Sequence, residues 1–187
     1  MRLVLPLSLA FALAAGAASS QMGGMHGMIH GHGADGTGHD EVTMPGLRGL
    51  DATEEESAEL EVMFRNFPTL SRRVEDLPNG IRTVTRSSDP AVMEALVSHV
   101  YGMTGRVAEG RSPQIFIQSP TLDIFFERPE ALITEIEVTD EGIVVIQTSD
   151  DPELVAALHT HAAEVSDMAA RGMQAVHERM AREAAGH

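Results

Sequence analysis

The sequence predicts an α+β fold, in which a tandem-duplicated unit of short helix, β-hairpin and long helix forms one antiparallel four-stranded sheet with helices on one face. Three observations predict it. The first is an internal repeat, because residues 57–110 align with residues 119–172 at a constant offset of 62 without a gap. The second is a pair of segments with alternating apolar residues in each copy, which is typical of β-strands. The third is an Asp-Pro pair followed by an apolar stripe in each copy, which is typical of a helix start. Two copies are too few for a solenoid, so we expect one pseudo-symmetric domain.

Helix starts are marked by capping residues in both copies. Thr53 with Glu56 forms a capping-box pattern ahead of an apolar i, i+3, i+4, i+7 series. Asp89 and Asp151 each precede a proline, which loses no hydrogen bond at the first position of a helix. The expected helices are 53–67, 89–109, 119–128 and 151–182.

Each copy also contains a β-hairpin. Asn79-Gly80 in the first copy and Glu141-Gly142 in the second mark turns between alternating apolar segments. The apolar residues 115–117, between the copies, are a candidate edge strand. The order of the strands in the sheet does not follow from the sequence. The expected strands are 70–75, 81–87, 133–138 and 143–148.

The first eighteen residues predict a secretory signal peptide. Arg2 is followed by an apolar run, 3–14, and by a small-residue cleavage region, 15–18. The run is too short to cross a bilayer, so no membrane span is expected after cleavage. The predicted organisation is a signal peptide at 1–18, a flexible Met/His-rich arm and linker at 19–52, and the duplicated α+β domain at 53–184. A bacterial periplasm is the simplest destination.

Composition and motifs exclude several classes of function. The formal net charge of −15 argues against nucleic-acid binding, which requires a basic patch. The chain has no cysteine, so it can form neither disulfides nor thiolate metal sites, and any soft metal ligand must be a methionine. No Gly-x-Ser-x-Gly elbow, phosphate-binding glycine loop or H-E-x-x-H helix is present, so we expect a protein that is not an enzyme.

The arm interleaves methionine and histidine among glycines, a composition typical of metal binding. Thioether sulfur is a soft ligand suited to Cu(I), whereas imidazole serves Cu(II), zinc and nickel, so the mixture favours copper over zinc. The alternative is a low-complexity linker without ligands. The candidate arm ligands are Met22, Met25, His26, Met28, His30, His32 and His39.

The two copies share a Gly-Ile strand start, an Asp-Pro helix cap and one histidine. These residues are Gly80, Ile81, Asp89, Pro90 and His99 in the first copy, and Gly142, Ile143, Asp151, Pro152 and His161 in the second. The pattern resembles a family of exported bacterial proteins with a tandem-duplicated, histidine-containing unit. The resemblance covers residues 60–177 and implies export and a duplicated fold. Relatives carry a further histidine after each short helix. In this chain the corresponding residues, 66–68 and 127–129, include no histidine.

The duplicated histidines, His99 and His161, fall on the apolar faces of their predicted helices and should point inward. In a two-fold arrangement, equivalent inward positions approach each other near the axis. Met103 lies one helical turn beyond His99 and could add a thioether to the same point. Such a cluster suits copper, and a bis-histidine haem is a remoter option. The alternative is that each imidazole is a structural core histidine.

Together these observations predict an exported periplasmic metal-binding protein that handles copper through its arm and through an internal His/Met site. Its expected partners are the metal ion and another periplasmic metal-handling protein. The alternative is a non-catalytic periplasmic interaction or sensor module, in which the duplication provides symmetry and the histidines are structural.

Overall fold

A computed structural model describes residues 44–186, and within them it contains five α-helices and one four-stranded antiparallel sheet. The predicted α+β class and the single sheet are confirmed. None of these helices has the length and apolar character needed to cross a lipid bilayer. The elements are α1 Glu54–Arg65, β1 Leu70–Leu77, β2 Gly80–Ser87, α2 Pro90–Ala108, α3 Asp123–Glu127, β3 Ile133–Thr139, β4 Gly142–Thr148, α4 Pro152–Arg171 and α5 Met173–Ala185.

The predicted caps form where the sequence placed them. The Thr53 hydroxyl accepts the backbone N–H of Glu56, and the Glu56 carboxylate accepts the N–H of Thr53, which completes the capping box of α1. The side chains of Asp89 and Asp151 accept backbone N–H groups in the first turns of α2 and α4. These local bonds fix where the two long helices leave the sheet.

The strand order is β1-β2-β4-β3, so the second strands of the two hairpins pair at the centre of the sheet. In this central pair Thr83 lies opposite Val145, its own counterpart 62 residues later. A residue that pairs with its own equivalent lies on a two-fold axis. The two hairpins also have the same internal register, because Ser71 pairs with Arg86 as Ile133 pairs with Thr148.

Two core clusters lie between the sheet and the helices, and they contain equivalent residues. In one, Ile81 of β2 packs with Leu154 and Leu158 of α4. In the other, Ile143 of β4 packs with Val92 and Leu96 of α2. Each long helix therefore covers the strand of the other half of the chain. The short helices follow the same rule, with Phe125 in the first cluster and Met63 in the second.

The helices cover one face of the sheet; on the opposite face the edge strands are exposed, while Val84 and Val144 of the central pair are buried. Thr83 and Thr85 point to the helix side, and both are buried. On the open side, charged residues such as Arg73 and Glu137 are exposed, and Arg73 forms a surface ion pair with Glu141 of the other hairpin at 2.8 Å. Side chains alternate along a strand, so this division follows from the pattern in the sequence.

The final helix is shorter than predicted. We expected one helix from 151 to 182, but α4 ends at Arg171 and α5 begins at Met173. Gly172 between them has φ 58° and ψ −138°. This conformation lies outside the helical region, and glycine adopts it more readily than residues with a side chain. The break turns α5 so that Ala175 and Val176 are buried.

The apolar residues 115–117 do not extend the sheet, so their assignment as an edge strand is wrong. Ile115 forms an isolated antiparallel bridge with Gly49, in the segment that precedes α1. The Phe116 N–H donates to the Arg48 carbonyl at 2.9 Å, and the Ile117 N–H to the Gly46 carbonyl at 3.2 Å. The backbone groups of this linker are thus satisfied by the N-terminal segment.

Candidate ligand cavity

A cavity of about 320 Å³ lies between the sheet and the helices, and it is partly open to solvent. Most of its wall is aliphatic or aromatic, contributed by α1, α2, α3, α4 and the four strands. Its volume lies within the range of small-molecule sites, roughly 300–1,000 Å³. Its polar lining includes His99, His161, Arg72, Thr85 and Glu164.

His99 lines this cavity from α2. Its Nδ1 atom is fully buried and has no hydrogen-bond partner within residues 44–186. The nearest carboxylate oxygen, Oε2 of Glu59, is 3.9 Å from Nδ1, while the other oxygen of Glu59 accepts from the Ser98 hydroxyl. About a fifth of the His99 side chain, 21 %, is accessible, and the cavity is what it faces.

His161, the counterpart of His99, lines the same cavity from α4. Its ring meets Phe125 edge to face, with centroids 6.0 Å apart and planes at 66°. In the described part of the chain, neither ring nitrogen of His161 makes a hydrogen bond. The prediction that both duplicated histidines face inward therefore agrees with the geometry.

Both imidazoles are held neutral. Burial lowers the pKa of His99 from 6.5 to about 4, against a smaller opposing effect of the Glu56 carboxylate. Burial also lowers the pKa of His161 to about 4, and the positive charges of Arg72 and His99 act in the same direction. A neutral imidazole is the form that binds metal.

Met103 lines the cavity one turn after His99, as predicted. Within residues 44–186, no group of three or more His, Cys, Asp or Glu side chains is arranged to hold a metal ion. A metal bound between His99 and His161 would therefore need the Met103 thioether or a ligand from solution to complete its coordination.

Arg72 is the residue that the sequence reasoning missed. It projects from β1 into the cavity, and its Nη1 donates to the Thr85 hydroxyl on β2 at 2.7 Å. Its Nε is buried without a partner, and no carboxylate of residues 44–186 forms an ion pair with it. Burial alone lowers the pKa of Arg72 to about 10, so the guanidinium stays protonated at neutral pH.

A comparison of the two copies could have revealed Arg72. The equivalent position in the second half is Thr134, which accepts from the Gln147 side chain at 3.4 Å, as Thr85 accepts from Arg72. The cation is therefore present in one half only. Glu164 of α4 likewise has no acidic counterpart, since Gly102 occupies its place in α2.

Glu164 is the carboxylate of this cavity. Its Oε1 accepts from the Ser119 hydroxyl at 2.8 Å, while Oε2 is buried and unbonded within the described residues. It does not neutralise Arg72, because no ion pair joins them. Two arginines line the cavity: Arg179 forms an ion pair with Glu183 at 2.8 Å, whereas Arg72 has no carboxylate partner within residues 44–186.

His159 is not part of the cavity. Its Nε2 bonds the carbonyl of Gly80 at 2.9 Å and lies 3.3 Å from that of Leu77, at the turn of the first hairpin. It therefore holds α4 on the β1–β2 turn. The predicted arm ligands, Met22, Met25, His26, Met28, His30, His32 and His39, lie outside the described residues.

Comparisons of this chain with protein-family models, with curated proteins and with solved structures give no significant match. The function is therefore argued from the cavity and from the sequence. The class that the fold and cavity define is an α+β domain with an internal apolar cavity carrying two neutral histidines and one unpaired cation.

Proposed function

We propose that the protein is an exported, periplasmic metal-binding protein that handles copper. One observation carries the proposal: His99 and His161, equivalent residues of the two halves, line one cavity with lowered pKa values, and the buried Nδ1 of His99 has no hydrogen-bond partner within residues 44–186. The Met/His-rich arm would capture the ion. The cavity would hold it.

The surroundings of His99 suit a metal ligand. Metal-binding histidines usually donate their second ring N–H to a carboxylate, which orients the ring. Glu59 stands 3.9 Å from Nδ1 and is itself held by Ser98, so a small movement would make this bond. Nε2 of His99 would then face the cavity as the ligand atom.

The nature of the donors favours copper. Two imidazoles with the Met103 thioether form a set that suits copper, whereas oxygen-rich sets suit magnesium or calcium. The cavity also offers an apolar wall of the kind that restricts water around a bound ion.

The alternative is an interaction or sensor module whose histidines are structural. A structural core imidazole is normally satisfied by a backbone or side-chain partner. His159 is of that kind, since it bonds the turn of the first hairpin. His99 and His161 lack such partners, and this difference favours the metal-binding proposal.

Anaerobic titration of Cu(I) against a chromogenic chelator tests the proposal, beside titrations of Cu(II) and Zn(II). Four proteins are compared: the mature chain, a form beginning at Met44, the double variant His99→Ala/His161→Ala in that form, and His159→Gln as the matched control. We expect the form beginning at Met44 to retain one tight Cu(I) site, which the double variant loses and the control keeps. Absence of copper binding by the mature chain would reject the function. If the mature chain binds copper and the form beginning at Met44 does not, the internal site is rejected.

A further inference from the structure

We propose that the cavity binds an organic molecule with an apolar body and a single carboxylate, and that this carboxylate pairs with the guanidinium of Arg72. The inference goes beyond the proposed metal binding and does not depend on it. It concerns a different group of the same cavity.

The charge of Arg72 has no counter-ion among residues 44–186. Arg72 makes one side-chain hydrogen bond, to Thr85, and its Nε is buried without a partner within residues 44–186. A buried ion without a counter-ion destabilises a protein, and an apolar side chain of similar volume would be more stable at such a position. An anion from outside the described chain would remove that penalty.

The fold does not require an arginine at position 72. Thr134 occupies the equivalent place on β3, in the same register, and keeps a cross-strand hydrogen bond with Gln147. The hairpin of the second half therefore forms with a small neutral residue. Arg72 thus places a cation on one edge strand, β1, and the equivalent edge strand, β3, has none at that position.

The apolar lining of the cavity favours a ligand with an apolar body. The wall of the cavity that Arg72 lines is formed largely by apolar side chains, among them Leu60, Phe67 and Phe125. A guanidinium binds a carboxylate through two parallel hydrogen bonds, and residues 44–186 leave donors of Arg72 unused, the buried Nε among them. An apolar molecule with one terminal carboxylate matches both features.

Glu164 limits the choice of ligand. Its unbonded oxygen, Oε2, lies buried in the same cavity, so a second negative charge near it would be repelled. A hydroxyl or N–H group could donate to it. A monocarboxylate is therefore favoured over a dicarboxylate, and a medium-chain fatty acid is the simplest probe of the class.

The test uses the mature protein with a chelator present, so that bound metal makes no contribution. Calorimetric titrations compare decanoate, decanol and decyltrimethylammonium. We expect decanoate to bind about tenfold more tightly than decanol, since a charge-assisted hydrogen bond adds about that much. Decyltrimethylammonium should bind no better than decanol.

Two variants assign the effect to the cavity. Arg72→Met should bind decanoate and decanol with similar affinity, and it should melt no lower than the unsubstituted protein because a buried charge has been removed. Arg73→Met, which changes the exposed neighbour on the same strand, should keep the tenfold preference. The proposal is overturned if decanoate does not bind, if Arg72→Met retains the preference, or if the cationic probe binds most tightly.

Copper titration of Arg72→Met separates this inference from the metal site. Because Arg72 is not among the proposed ligands, the variant should bind Cu(I) as before. The double variant His99→Ala/His161→Ala should in turn still prefer decanoate to decanol, and loss of that preference in it would contradict independent binding.

Discussion

Gly172 stands directly against the ring of Phe67: a Cβ atom at Gly172 would lie 2.7 Å from Cδ1 of that ring. Phe67 follows α1 and lines the cavity. The contact between them therefore joins the break in the C-terminal helices to the wall of the cavity.

Substitution of Gly172 by alanine should destabilise the protein. The new methyl group would press on Phe67, and the φ of 58° with ψ −138° is unfavourable for a residue with a side chain. We expect the free energy of unfolding to fall by about 1–3 kcal/mol, measured by urea denaturation. Gly102→Ala is the matched control: its Cβ meets nothing within 4 Å inside α2, so it should stabilise by up to about 1 kcal/mol. An unchanged stability for Gly172→Ala would contradict this account.

Acid should destabilise the fold through its two buried histidines. Their folded pKa of about 4 lies below the unfolded value of 6.5, so the unfolded chain binds more protons between these values. Stability is then fully present above about pH 6.5 and falls as the pH drops toward 4, by up to about 1.4 kcal/mol per pH unit for each histidine. Urea denaturation at a series of pH values measures the slope.

The double variant His99→Gln/His161→Gln is the control for that slope. It should depend much less on pH between about 5 and 6.5, because the two imidazoles whose lowered pKa values cause the slope are absent. The pKa of the ion-paired carboxylate of Glu56 is lowered, so this group does not contribute in the window. A slope that persists in the double variant would show that other groups cause it.

Copper in the cavity should resist mild acid. Proton competition weakens a histidine site only near the folded pKa of its imidazoles, which is about 4 for His99 and His161. The form beginning at Met44 should therefore keep its copper at about pH 5, as measured by dialysis and metal analysis. Release of the metal on passing through pH 6.5 would indicate that exposed imidazoles hold it.

Arg106 should be the most sensitive charged residue for stability. Only 4 % of its side chain is exposed, and it donates to Asp51 at 2.8 Å and to both carboxylate oxygens of Glu56. Arg106→Ala removes the cationic partner of Glu56 and leaves Asp51 only its longer contact with Arg111, and we expect a loss of about 3–5 kcal/mol in urea denaturation. Arg111→Ala, which removes an exposed partner of Asp51, should change the stability by less than about 1 kcal/mol. Similar losses for the two variants would refute the role assigned to burial.

Local chemistry made much of this fold predictable. The capping box of Thr53 and Glu56, the Asp-Pro starts of α2 and α4, and the hairpin turns each depend on neighbouring residues, so the sequence contains the whole cause. The inward direction of His99 and His161 follows from helical periodicity in the same way.

The strand order could not be predicted, because it depends on residues distant in the chain. Nothing near β2 indicates that it pairs with β4, or that Ile81 is covered by α4. The helix break was missed although glycine commonly ends helices. The contact of Gly172 with Phe67, more than a hundred residues earlier, does not follow from the local sequence. The 115–117 segment has strand-like composition but finds its partners before α1.

Arg72 was missed for a different reason. Strand alternation places it on the same face as the core, where a charged residue is usually read as an exposed one at a sheet edge. The difference between Arg72 and Thr134 at equivalent positions was visible in the sequence. Its importance appeared only when the cavity and the missing counter-ion were known.

The two halves of the chain pack on each other around one cavity, and the two edges of that cavity carry different groups. If the same fold were built as a homodimer of identical halves, every group on its wall would occur twice, and two guanidinium groups would face the cavity from opposite sheet edges. A single covalent chain can place arginine on β1 and threonine on β3. The cavity is thereby polarised, with one cationic edge and one neutral edge, and an asymmetric ligand can enter it in only one favourable orientation.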